Sequence, residues 1–482
     1  MDNPASCLED IISRYQDCAD VVIETYSCKR NERPGEITLV YCSGLCDSGR
    51  WVQQLLEAVQ SEHELEESYL QLDRIQAGVS LGQLDEEVFS GKLLVYDSIS
   101  GRLYAHSSYS PPTRNPDESN FEVSIRGPKD GFVEDVDTNV ALVRKRLKTA
   151  TLRVENYSIG SRSQTRVALL YVRDIANREL IDKVQHRLNH ISLDGIISST
   201  QLSEIISDSS YSLFPLMAFT GRPDFAVESV LNGRFVLLLD GNPSAVIGPA
   251  DLLFIMKTAE DSHFMYIAIS FARWLRLCGF MMTTILPAMY IAIVSFHPDQ
   301  LPFQFMASVT MSRLGLPLSA TMEMLLLLFL LELFREAGVR LPSSIGQTLT
   351  VVGGLIVGDA SIRAGLVSPS MVVVGAVTAV SGFTLGNQAL LGAATIIRLV
   401  LYLFSASLGL FGFFTGIFLL VLYMSWLTSF GLPYLNPISN PLSGDLVQSL
   451  LRLPWISKRK RPSGLQLQDQ DRQADSQRRQ KE

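Results

Sequence analysis

The segment LRLCGFMMTTILPAMYIAIVSF, residues 275–296, decides the class of fold, because it is apolar and has 22 residues. A helix rises about 1.5 Å per residue, so this length covers the ~30 Å hydrocarbon core of a membrane. Further apolar blocks follow at 318–334, 348–366, 371–391 and 393–430. The last block is too long for one span, and Gly409 and Gly412 predict a reversal that divides it into two. The sequence therefore predicts an all-α polytopic transmembrane domain of five to six helices over residues 272–432.

The charges are distributed unevenly along the chain of 482 residues. Residues 272–432 carry only 12 charged side chains and no lysine, whereas residues 1–271 carry 25 basic and 39 acidic ones. Residues 452–482 carry nine basic and four acidic side chains. This pattern predicts a soluble domain, a transmembrane domain at 272–432, and a juxtamembrane segment with a basic, disordered cytosolic tail at 433–482. The acidity of the soluble part argues against nucleic-acid binding.

The two ends of the chain predict its topology in the membrane. The N-terminus has no basic n-region or apolar h-region, and its cysteines show no disulfide-like spacing, so we expect it in the cytosol. The tail ISKRKRP, residues 456–462, should also be cytosolic by the positive-inside rule. Both ends on one side require an even number of spans, which favours six. Cys42 and Cys46 lack the spacing of a zinc site, and we expect no metal or cofactor.

Two stretches of the soluble half resemble each other. ITLVYCSGLCDSGRWVQQLL (37–56) and VALLYVRDIANRELIDKVQHRL (167–188) each predict a buried strand, a polar turn and an amphipathic helix. We therefore expect two small α/β subdomains, at 30–118 and 119–271, after an N-terminal helical lead at 1–29. A gene duplication would explain the resemblance. KLLVYDSISGRLY (92–104) and FVLLLDGNPSAVIG (235–248) predict one hairpin in each subdomain.

The segment IRGPKDGFVEDVDTNVALVRKRLK, residues 125–148, matches neither a P-loop nor an EF-hand. One interpretation is a helix capped by Asp137 or Thr138 with its basic side chains in solvent. The alternative is a subunit interface, whose candidate residues are Arg126, Lys129, Arg144 and Arg146. We find no paired carboxylates and no Ser/His/Asp arrangement at catalytic spacing, so the sequence does not predict an enzyme.

Charged residues also lie inside or beside the apolar blocks. Glu332, Arg335, Glu336 and Arg340 have i,i+3 and i,i+4 spacing at the end of the second block, which predicts pairing along a helix at the interface with water. Glu323 has no arginine at helical spacing. An unpaired carboxylate there is a functional candidate, and the alternative is an interfacial residue bonded to a neighbouring helix.

The third block, TLTVVGGLIVGDASIRAGL, has a face of small residues that allows close helix packing. A second face predicts a stripe that could line a pore, with apolar rings as a gate and an acidic ring that attracts cations. Its members are Thr348, Val351, Leu355, Asp359 and Ile362. The alternative is an i,i+4 ion pair between Asp359 and Arg363 in a packed bundle.

Several long motifs carry a resemblance to a known family. They are RGPKDGFVEDVDTN, GRPDFAVESVLNGRFVLLLDGNP, ELFREAGVRLPSSIGQTLTVVGGLIVGDASIRAGLVSPS and SFGLPYLNPISNPLSGDLVQSLLRLPW. In this order they resemble the A subunit of the spore germination GerA family, over about residues 30–456. One departure is Gly221, which stands before Arg222 where the family usually has glutamate.

The resemblance implies a subunit of a nutrient germinant receptor in the spore inner membrane, with its N-terminal domain and C-terminal tail on the spore core side. It implies a transporter-like B subunit that binds the nutrient and a lipoprotein C subunit as partners. It also implies a homo-oligomer, a pentamer, that forms a nutrient-gated cation channel. The alternatives are an accessory channel of the stage V sporulation AF type and a non-conducting scaffold. A secondary transporter ranks last, because paired broken helices are not evident.

Overall fold

The structure is a computed structural model that describes residues 12–30, 33–46, 49–60, 72–75, 81–110, 122, 124–340, 358–439 and 444–472. Within these residues, two α/β subdomains precede a helical domain, and a C-terminal segment returns to the second subdomain.

The first subdomain contains a five-stranded sheet in the order β1-β2-β4-β5-β3, in which all neighbours are antiparallel. Its elements are β1 (Val21–Arg30), β2 (Arg33–Cys42), α1 (Gly49–Gln60), β3 (Asp73–Arg74), α2 (Leu81–Phe89), β4 (Lys92–Asp97) and β5 (Arg102–Ser107). Successive strand residues point to opposite faces. Accordingly, Leu93 and Val95 join one buried cluster, while Leu94 joins another on the opposite face. Strand β1 lies largely within the segment 1–29 that was predicted to be helical, so that prediction is wrong for residues 21–29.

The second subdomain has a sheet with the order β6-β7-β9-β10-β8, again with antiparallel neighbours. Its elements are α3 (Val136–Arg144), β6 (Leu152–Ile159), β7 (Thr165–Val172), α4 (Arg178–Asn189), α5 (Ser199–Ile206), β8 (Ala218–Thr220), α6 (Pro223–Leu231), β9 (Phe235–Leu239) and β10 (Ala245–Gly248). The strand order repeats that of the first subdomain, which supports the duplication. Both predicted hairpins, β4–β5 and β9–β10, are confirmed.

The helical domain begins after a short helix, α7 (Leu252–Ile255). Its helices are α8 (Tyr266–Ile291), α9 (Phe303–Ser312), α10 (Ala320–Arg340), α11 (Pro369–Phe383) and α12 (Gln388–Trp426). Among the described helices, two are long and apolar enough to cross a membrane. They are Tyr266–Phe296, which is α8 with its π-helical end, and Gln388–Trp426, with mean hydropathies of 2.0 and 2.1. Five or six spans are therefore not established by these helices alone.

Helix α12 reverses direction at Gly409, as the sequence predicted. Gly409 has φ 63° and ψ −139°, which is not helical. A Cβ placed on Gly412 would lie 2.0 Å from the carbonyl oxygen of Phe404, and one on Gly416 would lie 2.8 Å from Leu401. Contacts between residues so spaced require two antiparallel arms, since residues eight apart in one straight helix are about 12 Å apart. The two arms therefore form a close-packed hairpin.

The second subdomain and the helical domain share a buried core. Val236 and Leu238 of β9 belong to the same apolar cluster as Phe280 of α8 and Ile397 of α12. The hairpin after α12, formed by β11 (Thr428–Ser429) and β12 (Leu432–Pro433), also contacts the subdomain. Ser429 donates a hydrogen bond of 2.7 Å to the carbonyl of Leu216. The α/β and helical parts are thus joined by apolar packing and by specific hydrogen bonds.

The C-terminal segment contradicts the prediction of a disordered tail for most of its length. It includes α13 (Asp445–Leu450), and residues 444–472 are described. The backbone N–H of Gln468 donates to the carbonyl of Ile175 at 3.1 Å, and the side chain of Leu467 fills the space beside Gly233. Arg461 donates to the carbonyl of Leu231 at 3.0 Å. The C-terminal segment is therefore packed and hydrogen-bonded against the second subdomain; residues 473–482 lie outside the described part.

Candidate functional site

Glu323 is completely buried near the start of α10, and it has partners. Arg313 Nε lies 3.3 Å from Glu323 Oε1, and the backbone N–H of Ser368 donates to Oε2 at 3.0 Å. The expectation of an unpaired carboxylate is therefore wrong. Arg313 follows α9 and is ten residues away in sequence, so the pair is not at helical spacing and is not evident from the sequence. The alternative, a carboxylate bonded to neighbouring elements, describes the site.

Glu332 is the centre of a charged cluster between α10 and α12. It pairs with Arg335 at i,i+3, as the spacing predicted, and its other oxygen lies 3.3 Å from Arg398 Nη2. Arg335 also donates to Thr395 Oγ1 at 3.2 Å. Sequence analysis missed Arg398 because it is 66 residues from Glu332. The cluster therefore holds two helices together rather than stabilising one helix end.

The other charges predicted with Glu332 are less completely described. Glu336 is exposed, in keeping with a place near water. Arg340 is the last residue of α10, and its side chain lies outside the described part.

Of the predicted pore stripe, Thr348, Val351 and Leu355 lie outside the described residues. Asp359 and Ile362 lie on a helical segment at 358–363, and Ile362 is half-buried. Asp359 Oδ2 accepts from Arg363 Nε at 2.8 Å, so the alternative ion pair is present. The side chains of this pair are nevertheless 55% and 79% exposed. The role of the stripe stays a prediction.

The predicted subunit-interface residues differ in their surroundings. Arg144 is 0% exposed, and it donates to both oxygens of Asp20 at 2.7 and 2.8 Å. It also lies over the Phe89 ring, 4.3 Å from the centroid. Arg144 therefore joins the two α/β subdomains of one chain. Both predictions for Arg144, a subunit interface and a solvent-exposed helix face, are therefore wrong.

The remaining candidates stay nearer the surface. Arg146 pairs with Asp130 at 2.5 Å and is 22% exposed. Arg126 lies over the Phe264 ring at 5.9 Å, and Lys129 is exposed. These three residues remain interface predictions. The helix itself begins two residues earlier than expected, because Asp135 is the cap and accepts from the Thr138 amide at 2.8 Å.

A network that the sequence did not reveal lies at the junction of α6 with the approach to α8. Arg222 is 2% exposed; its guanidinium donates to Asp224 at 2.6 Å and to Glu260 at 2.5 Å. His263 Nε2 lies 2.7 Å from Asp224 Oδ2. Burial alone would raise the pKa of Asp224, but the hydrogen bonds from Arg222 and His263 outweigh it and hold that pKa below its usual value. Although Gly221 removes the usual glutamate, Arg222 therefore remains fully paired.

The first turns of α8 are also fixed to the loop before them. Arg273 and Arg276 each donate to Asp261 at 2.8 Å, and Arg276 donates to the carbonyl of Met256 at 3.1 Å. Asp261 is only 5% exposed, so this arrangement is a desolvated, doubly paired carboxylate. A displacement of the subdomain would consequently pull on the first apolar helix.

Together, the fold and these charged contacts define a class of protein in which a duplicated α/β domain is fixed to an apolar helical domain. The chain belongs to the family described as Bacillus/Clostridium GerA spore germination protein, which matches residues 9–464. The family resemblance carried by the sequence motifs is thereby confirmed.

Two relatives illustrate the extent of the match. Spore germination protein XA of Bacillus anthracis is 41% identical over 469 residues, which cover 95% of this chain and 95% of that protein. Spore germination protein KA of Bacillus subtilis (strain 168) is 31% identical, over 95% of this chain and 86% of that protein. The crystal structure of the N-terminal domain of the A subunit of the Bacillus megaterium spore germinant receptor GerK3 is 26% identical, with a TM-score of 0.39. That comparison covers 52% of this chain and 96% of the other.

Proposed function

We propose that this protein is the A-type subunit of a nutrient germinant receptor in the spore inner membrane, where it starts germination. Membership of the family over residues 9–464 supports a role in germination, as do the names of its relatives. In this proposal a transporter-like B subunit binds the nutrient, and a lipoprotein C subunit completes the receptor. The protein itself acts by conduction or coupling, not as an enzyme.

The proposed topology has six spans with both ends on the core side. The helix Tyr266–Phe296 and the two arms of α12 supply three apolar segments, and α10 and α11 supply two more. The sixth is the block at 348–366. The basic residues at 458–461 follow the last span, and the positive-inside rule favours the spore-core side of the membrane for them.

The observation that carries a conducting role is the exposure of the Asp359–Arg363 pair. By contrast, two charges deeper in the helical domain are enclosed: the side chain of Glu323 is 0% exposed and that of Arg398 is 10% exposed. Asp359 and Arg363 keep 55% and 79% of their side-chain surface in the single chain. Such a pair is costly in lipid and is accommodated by a water-filled passage or a protein interface. A ring of copies, a pentamer, would place Asp359 and Ile362 towards a shared axis, with Asp359 attracting cations.

A specific observation also favours the second candidate, a non-conducting coupling subunit. Arg273 and Arg276 fix the start of α8 to Asp261, and the hairpin after α12 is bonded to the second subdomain through Ser429. Such contacts would transmit a partner's movement between the α/β and helical parts. An accessory channel of the stage V sporulation AF type would use the same contacts without a nutrient-binding partner.

Ion flux through liposomes distinguishes these functions. The purified full chain would be reconstituted alone and with its B and C partners, with potassium inside and a potassium electrode outside. A nutrient-gated channel predicts flux only when nutrient and partners are present. Flux from the protein alone without nutrient would favour an accessory channel. No flux under any condition, from protein shown to be inserted, would contradict conduction and leave coupling.

A further inference from the structure

A cavity of about 80 Å³ lies where the second subdomain, the start of α8 and the C-terminal segment meet. Six cationic side chains line it, against three carboxylates. A single water requires about 10–15 Å³ of such space, so the cavity is large enough for a tetrahedral oxyanion. Its lining therefore carries an excess of positive charge.

The three carboxylates are committed to other groups. Asp261 accepts from Arg273 and Arg276 at 2.8 Å each, and Asp445 accepts from the Ser463 amide and hydroxyl at 2.7 and 2.6 Å. Glu228 accepts from the Ser262 hydroxyl and lies 3.4 Å from Lys458 Nζ. Because these carboxylates already have partners, they do not neutralise the remaining cations of the cavity.

Lys257 is one of the lining cations that have no carboxylate partner among the described residues. No residue in the described part of the chain accepts a hydrogen bond from its ammonium group or pairs with it. Burial, followed by the repulsion of Arg273, lowers the pKa of Lys257 to about 8. Burial likewise lowers the pKa of Lys458, against the attraction of Glu228. Both lysines would gain from a bound anion, because it would compensate a charge that is partly removed from water.

Exposed aromatic side chains lie beside the cavity and indicate the kind of anion that can reach it. Helix α8 exposes Tyr266, Phe271 and Trp274 within its first turns, at 45%, 66% and 54%. Trp455, 48% exposed, lies beside Arg452 and Lys458, whose charged groups are 5.6 and 5.0 Å from its ring. Tryptophan and tyrosine are enriched at the headgroup level of membranes. The cavity thus adjoins the edge of the apolar surface.

We propose that this cavity is a binding site for a phosphate group, held by Lys257 and Lys458, and that an anionic phospholipid headgroup supplies it. Basic pockets beside membrane helices bind such headgroups through charge-assisted hydrogen bonds. The lipid as source rests on the membrane placement proposed above, whereas recognition of phosphate does not. The bound headgroup would bridge the α/β subdomain, the first apolar helix and the C-terminal segment.

The test uses the full chain in zwitterionic detergent micelles and its thermal unfolding midpoint. Phosphatidylglycerol is titrated against phosphatidylcholine, and in a separate arm inorganic phosphate is titrated against chloride at equal ionic strength. The wild-type chain should be stabilised by phosphatidylglycerol, giving an apparent Kd. Lys257→Gln should weaken this Kd about tenfold or more, since a charge-assisted contact is lost. Lys145→Gln, the same change at an exposed position, should leave it unaltered.

Two further variants keep the test decisive if Lys257→Gln does not fold. Lys257→Arg should retain binding, and Glu228→Gln should tighten it, because it removes the carboxylate that competes for Lys458. Stabilisation by phosphatidylglycerol beyond that by inorganic phosphate supports the lipid. Equal stabilisation by both at equal concentration overturns the lipid but supports a phosphate site. No stabilisation by either, or equal effects of Lys257→Gln and Lys145→Gln, overturns the proposal, irrespective of the outcome of ion-flux measurements.

Discussion

Asp20→Asn should destabilise the α/β part strongly, because it leaves the Arg144 guanidinium buried without its counter-charge. Arg144 is 0% exposed and makes two bonds to Asp20, together with bonds to the carbonyls of Thr149 at 2.8 Å and Leu152 at 3.1 Å. Removing one partner of such a buried pair costs about 3–5 kcal/mol. For a unit of this size, that loss corresponds to a fall in the unfolding midpoint of about 6–20 °C.

Fluorescence of Trp51, which is 7% exposed in the first subdomain, would follow this unfolding in the full chain. Arg146→Met is the matched control, since Arg146 and Asp130 form a more exposed pair worth under about 1 kcal/mol. The double change Asp20→Leu with Arg144→Met should recover at least half of the loss, because it removes both buried charges. A midpoint within about 1 °C of wild type for Asp20→Asn, or a double variant no better than the single one, would show that buried Arg144 does not require its counter-charge.

Three further predictions concern the helical domain and its junction. Glu332→Gln should lower the free energy of unfolding by about 1–3 kcal/mol, because it leaves Arg398 without a counter-charge in the helical bundle. Thermal unfolding in detergent measures this loss, and an unchanged midpoint would contradict a stabilising role for the cluster. Gly409→Ala should lower the free energy of unfolding by about 1–3 kcal/mol from backbone strain alone, since φ is 63° and the new Cβ would also lie 2.9 Å from Phe296. Wild-type yield and stability of this variant would show that the reversal tolerates a side chain. Asp224, whose folded pKa is depressed, contributes stability that is present above its unfolded pKa of about 4 and is lost as pH falls through the folded value. Asp224→Asn should therefore weaken the acid dependence of the unfolding midpoint below about pH 4, and a dependence identical to wild type would exclude this carboxylate as a contributor.

Local patterns predicted much of this fold. The strand–turn–helix at 37–56 and its counterpart at 167–188 are present, because a buried strand and an amphipathic helix are encoded by residues close in sequence. The reversal at Gly409 is local for the same reason: only glycine adopts that backbone readily.

The charged sites were predicted less well, since their partners are distant in sequence. The spacing rule found Glu332 with Arg335 but could not find Arg398 on another helix. The basic run at 144–148 resembled a solvated helix face, yet Arg144 is enclosed by a neighbouring subdomain. Composition likewise predicted a disordered tail, because it carries no information about the surface of the second subdomain that the C-terminal segment contacts. These predictions failed because tertiary contacts, and not local secondary-structure propensities, determine where these side chains lie.

The proposed gate at Ile362 offers the most direct measurement of the central claim, a cation channel built around the 358–363 segment. Spores carrying Ile362→Ala at wild-type protein level would be assayed for potassium efflux without nutrient, with Val373→Ala, an exposed apolar position on α11, as the control. A narrow apolar ring excludes hydrated ions, so shortening its side chains should open a leak. Ile362→Ala spores should show spontaneous efflux and germination, whereas Val373→Ala spores should not. Dormant Ile362→Ala spores that respond normally to nutrient would contradict this claim.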